Sequence, residues 1–152
     1  MKWARLVPIG IALVTTAFFA AASSAPKFYP LKVATDEGEV VFKVELAQTP
    51  EEQKKGLMDR TYMAKNRGML FVYKEAQPVT FWMKNMLIPI DMIFIGADHR
   101  IKRILPVVPP CPFGQECPLY SPAEPVQYVL EIRAGIAEAE KLEVGDNVIT
   151  PF

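Results

Sequence analysis

The sequence predicts a small α+β domain, mostly β, in which a curled or barrel-like antiparallel or mixed sheet carries one or two short helices. Three features predict it: short runs of alternating apolar residues, turn signals between them, and only two stretches suited to helical turns. The 152 residues suffice for one domain and not for two ordinary ones. With 51% apolar and 22% charged residues, the chain has the balance of a packed globule and not of a disordered polymer.

Residues 1–25 read as a secretion signal. Lys2 and Arg5 form a short positive region, Leu6 to Ala22 runs without a charge, and the small residues Ala20 to Ala25 follow. Small residues at Ala20 and Ala22 favour cleavage after Ala22, leaving one globular domain over 26–152. The alternative is an uncleaved anchor in the inner membrane, because 17 apolar residues lie at the short end of the spanning range. The expected location is the periplasm or the extracellular space, with membrane contact only through the leader if it is retained. Loss of Lys2 and Arg5 leaves 15 basic residues against 17 acidic, a net charge of −2. A weakly acidic domain lacks the footprint of a nucleic-acid binder, so nucleic acid is not an expected partner.

Leu31 to Ala34 reads as a first strand, and Asp36-Glu37-Gly38 as a turn. Val40, Phe42, Val44 and Leu46 alternate with polar or exposed positions and complete a hairpin. Thr49, Pro50 and Glu52 then supply an N-cap, a first-turn proline and a capping-box carboxylate for a short helix ending near Leu57-Met58. Asp59 to Arg67 reads as a loop, Gly68 to Tyr73 as a strand, and Val79 to Lys84 as the next. Met92 to Ile95 is apolar on both faces, hence a central strand; Gly96 to His99 turns the chain and Ile101 to Leu105 returns it.

Residues 106–125 hold seven prolines and both cysteines, and read as a long ordered loop carrying Phe113 and Tyr120. In an oxidising compartment Cys111 and Cys117 read as a structural disulfide, worth about 2 kcal/mol by loop closure. Val126 to Arg133 is the cleanest alternating strand. Gly135 to Leu142 suits one or two helical turns, and Asn147 to Thr150 a last strand.

Gly-Leu-Met-Asp-Arg at 56–60, Gly-Met-Leu-Phe at 68–71 and Phe-Trp-Met-Lys-Asn-Met-Leu-Ile-Pro-Ile-Asp at 81–91 carry a resemblance to the domain of unknown function 192 family. It continues through Val129-Leu130-Glu131, Ala134-Gly135 and Gly145-Asp146, covering roughly 31–150. The resemblance implies a compact β-rich fold and no established activity. Met86 stands where such sequences often carry Thr, so a hydroxyl role there is absent from this chain.

Three functional classes are open on the residues alone. The first is a non-catalytic ligand- or partner-binding domain using Trp82, Lys84, Asn85, Asp91 and Arg60. On an extended strand Trp82 and Lys84 share one face, opposite Phe81 and Met83, and a flat aromatic beside a cation suits a small molecule, a saccharide or an envelope protein. The bland alternative buries Trp82 in a second small core and pairs Lys84 with Asp91 or Glu131. The second class is a small hydrolase-like enzyme with Asp91 and Glu131 as acid and base and Lys84 steadying negative charge. The third is a soft-metal carrier built on the six thioethers of Met58, Met63, Met69, Met83, Met86 and Met92. In strands, methionine is more simply a core filler. No other metal site and no cofactor is expected.

Overall fold

A computed structural model describes residues 25–112 and 114–152. Phe113 and residues 1–24, on which the expected secretion signal falls, lie outside the described residues. The first hairpin pairs β1 (Tyr29–Thr35) with β2 (Gly38–Ala47) around the expected turn, with Val33 opposite Val40 and Leu31 opposite Phe42. Thr49 then caps α1 (Pro50–Lys55) through the full capping box: its hydroxyl accepts from the Glu52 N–H, and the Glu52 carboxylate accepts from the Thr49 N–H.

Next come β3 (Arg67–Gln77), β4 (Phe81–Trp82), β5 (Ile90–Ile95), β6 (Ile101–Val108), β7 (Leu119–Tyr120) and β8 (Val126–Arg133). The chain closes with α2 (Ile136–Ala139) and β9 (Asn147–Ile149). Seven strands form one sheet in the order β6-β5-β8-β3-β2-β1-β9, and β4 and β7 form a separate two-stranded ribbon. β2 and β3 are parallel, joined by the α1 crossover, and the other pairs are antiparallel. The sheet curls until its two edges meet at one end: Arg100 bridges Asn147, and the Val148 N–H donates to the His99 carbonyl at 2.8 Å. This is the mixed, barrel-like sheet with two short helices that the alternating pattern predicts.

Curling gives the sheet two apolar faces. Inside the curl, Leu31, Phe42, Leu70, Ile93, Leu130 and Ile132 pack with Ile136 and Val148. On the outer face of β3, β5 and β8 a second core gathers Phe71, Met92, Phe94 and Val129 beneath Leu57, Met63, Met83 and Met86. β5 accordingly has all six residues buried, as expected for a strand that is apolar on both sides.

Two segment readings need correction. The run Val79 to Lys84 keeps strand pairing only at Phe81–Trp82, because the chain turns at once: the Met86 N–H donates to the Met83 carbonyl and Asn85 takes a positive φ of 58°. The proline-rich loop begins after Val108 and not at Pro106. Pro106 is held within β6 at a bulge, where Pro106 and Val107 face the single residue Asp91; having no N–H, proline loses nothing at an edge-strand bulge.

Candidate functional site

The outer core is roofed incompletely. Between α1 with the turn after it and the β4–β7 ribbon lies a cleft of about 270 Å³. Its floor is Phe71 and Tyr73 of β3 and Glu131 of β8. Its walls and rim include Gln53, Lys54, Lys55, Gly56, Thr80, Phe81, Trp82 and Lys84.

Local structure explains each wall. The Gln53 side-chain amide donates to the Val72 carbonyl at 3.0 Å and ties the helix to β3. Gly56 ends the helix at φ 46°, and a Cβ there would lie 3.2 Å from the Phe71 ring, so glycine lets the chain cross that ring closely. On the opposite wall, pairing of Phe81 with Tyr120 and Trp82 with Leu119 holds the ribbon. The Phe81 ring meets Phe71 edge-on at 5.0 Å. The Thr80 and Ser121 hydroxyls join at 3.0 Å, and the Cys111 N–H donates to the Met83 carbonyl at 3.1 Å. The disulfide between Cys111 and Cys117 is formed and anchors the end of this ribbon.

Trp82 is 47% exposed, and the Lys84 ammonium lies 5.4 Å from its ring centroid. Trp82 and Lys84 are exposed and Met83 is buried as expected, but Lys84 lies in the turn after β4 and Phe81 lines the same cleft as Trp82. Glu131 is only 5% exposed, and among the described residues its carboxyl makes no ion pair. Removal from water without a compensating partner pushes it up to about 8. Burial, reinforced by the nearby Glu131 carboxyl, pushes the Tyr73 phenol up to about 12.

Asp91 stands elsewhere. It pairs with Ile132, whose side chain fills the inside of the curl, whereas Glu131 lies between Met92 and Met69 on the outer face. The Asp91 carboxylate is fully buried and accepts three backbone N–H groups, from Val107 at 2.8 Å, Gly135 at 3.0 Å and Ala137 at 2.8 Å. It satisfies the β6 bulge, where Val107 sits at φ 49°, and the start of α2. The reading of Asp91 as a ligand-binding group, and the pairing of Asp91 with Glu131 as acid and base, are therefore corrected: two carboxyls on opposite faces of a sheet cannot flank one bond.

Arg60 is also drawn away. Its guanidinium forks onto Glu45 of β2 at 2.5 and 2.7 Å and borders a different cavity of about 550 Å³. Asn85 lies outside the cleft beside the disulfide, with its amide near the Met58 sulfur at 3.9 Å. Of the predicted binding residues, Trp82 and Lys84 converge, and Glu131 joins them as the floor. Five of the six methionines, Met63, Met69, Met83, Met86 and Met92, are buried in the outer core as apolar filling, while Met58 is half-buried beside the cleft.

Sequence reasoning missed Tyr73, Phe71, Lys54 and Lys55 as partners of this surface. A strand tyrosine two positions after a core phenylalanine was the available signal for the floor.

A family model matches residues 32–150, most of the chain, under the name DUF192 with the description "Uncharacterized ACR". The chain belongs to the DUF192 family. This DUF192 chain is also similar to two solved structures. One, from Sinorhizobium meliloti 1021, is described as a "putative transcription regulator"; it is 35% identical with a TM-score of 0.77, over 84% of this chain and 97% of that one. The other is a protein of unknown function from Novosphingobium aromaticivorans DSM 12444, 35% identical with a TM-score of 0.76, over 89% of this chain and 99% of that one. No curated protein matches the sequence.

Proposed function

We propose that this DUF192 protein is an exported envelope domain that binds a small ring-bearing ligand in the cleft between α1 and the β4–β7 ribbon. The observation that carries this reading is the cleft itself: a half-exposed tryptophan and a lysine on one wall stand above the largely buried Glu131, which has no ion-pair partner among the described residues. Trp82 offers a flat face for stacking, Lys84 a charge for an acidic substituent, and Glu131 a hydrogen-bonding group at depth. Export rests on the leader pattern, and the disulfide is compatible with it. The regulator description of the Sinorhizobium protein is not carried over, since 17 basic residues are balanced by 17 acidic ones.

Trp82 is the sole tryptophan once the leader is removed, so its emission reports on the site. Titration with acidic sugars, sugar phosphates, amino acids and other small charged metabolites should give a saturable shift with at least one class, and Lys84→Ala should weaken binding of acidic ligands. No shift with any class would sink the reading. A second reading, docking of an envelope protein, is favoured by the neighbouring exposure of Trp82 at 47% and Leu119 at 67%. It predicts that Leu119→Asp abolishes capture of a partner while leaving small-ligand titrations unchanged.

A further inference from the structure

Charge and burial change sign with depth in the cleft. At the mouth, Lys54, Lys55 and Lys84 present ammonium groups, Lys55 already paired with Asp59 at 2.6 Å. At the floor Glu131, a residue only 5% exposed, lines the cleft with Phe71, Tyr73 and Phe81, and its carboxyl has no ion-pair partner among the described residues. On the wall, the Lys84 ammonium lies over the Trp82 ring instead. An unpaired buried carboxyl is costly, and a cation delivered to it removes that cost. Aromatic rings line the same cleft, and an aromatic ring favours a cation over an anion at its face. An anionic group entering to the floor would meet the carboxyl with the wrong sign, while it would suit the lysines above.

We infer that the cleft takes a zwitterion, its ammonium seated against Glu131 among the aromatic rings and its acidic group held at the lysine mouth. The inference rests on the ligand-binding reading above and names the ligand class. The titratable groups that face Glu131 around the cleft are Tyr73 of β3, Lys54 and Lys55 at the end of α1, and Lys84 after β4; β5 contributes Met92. Tyr73, pushed up to about 12, stays neutral between pH 6 and 8. Over that range Glu131 is the group that changes. Because its carboxyl is pushed up to about 8, only a fraction is ionised at lower pH, and cation binding should be about 50-fold weaker at pH 6 than at pH 8.

The test is isothermal titration calorimetry of the mature protein with a matched set of probes: 4-(aminomethyl)benzoate, benzylamine and 4-methylbenzoate. The zwitterion should bind at least tenfold more tightly than either partner compound at pH 8. It should weaken as pH falls, and at pH 7 should release close to one proton, read from titrations in two buffers of different ionisation enthalpy. Glu131→Gln should remove both the pH dependence and the preference over 4-methylbenzoate, and Lys84→Ala should reduce the preference over benzylamine. The proton count on the unmodified protein keeps the test decisive if a variant fails to fold. Binding of 4-methylbenzoate as tight as that of the zwitterion, or proton uptake in place of release, would overturn the inference while leaving a ligand-binding cleft. Silence of all three probes, with acidic sugars shifting Trp82 emission, would overturn it likewise. Silence of every ligand class would overturn both.

Discussion

Glu131 makes stability depend on pH in an unusual direction. Its carboxyl titrates near 4.5 in an ordinary setting and is pushed up to about 8 in the fold. Between those values the folded protein holds a proton that the unfolded chain has released. Stability contributed by the neutral acid is therefore fully present below pH 4.5 and is lost as pH rises through about 8. Each unit within the window costs about 1.4 kcal/mol, so the fall from pH 6 to 8 amounts to roughly 2 to 3 kcal/mol. Glu131→Gln keeps the shape and removes the titration. Urea unfolding followed by circular dichroism at several pH values should show the wild type losing stability toward pH 8 and the variant losing much less, with the slopes m unchanged. Parallel pH profiles for the two proteins would refute the argument, because they would place the titrating group elsewhere or the Glu131 carboxyl in water.

Asp91→Ala should destabilise by about 3 kcal/mol, since three N–H groups lose a charged acceptor and the buried one, of Ala137, is left unsatisfied; urea midpoints measure it, and a loss under 1 kcal/mol would contradict the reasoning. Gly68→Ala should cost about 1 to 3 kcal/mol, because a Cβ there would lie 2.6 Å from the Glu131 carbonyl oxygen where β3 and β8 approach; thermal unfolding reads it. Reduction of Cys111–Cys117 should lower stability by about 2 kcal/mol. It should leave the far-ultraviolet β signal intact and shift Trp82 emission, since the bridge lies outside the main sheet but next to the ribbon that holds Trp82.

Most of the fold was legible because its determinants are local. The capping box at Thr49 and Glu52 and the turn at Asp36–Gly38 involve neighbours in sequence, and the alternation in β2 needs only one buried face. β8 shows where local reading stops. Its alternation suggests a strand with Gln127, Val129, Glu131 and Arg133 facing solvent, yet β8 runs between β5 and β3, and the outer core covers Val129 and Glu131. Whether a strand is central depends on strand order, which no window of residues contains. The same limit separates the two carboxyls: Asp91 and Glu131 read alike as charges in apolar strands, and only the register puts one inside the curl and the other in the cleft. Trp82 and Lys84 were readable as neighbours because they stand two positions apart, although the turn after β4 and not an extended strand leaves the ammonium over the ring.

The central claim is that the cleft between α1 and the ribbon is the binding surface. A two-dimensional amide NMR titration of the protein with 4-(aminomethyl)benzoate at pH 8 tests it most directly. Saturable shifts confined to Gln53–Met58, the Thr80–Lys84 segment and the neighbourhood of Glu131 are the predicted result. Shifts centred on the Arg60–Glu45 cavity or scattered without saturation, with the cleft amides unmoved, would contradict it.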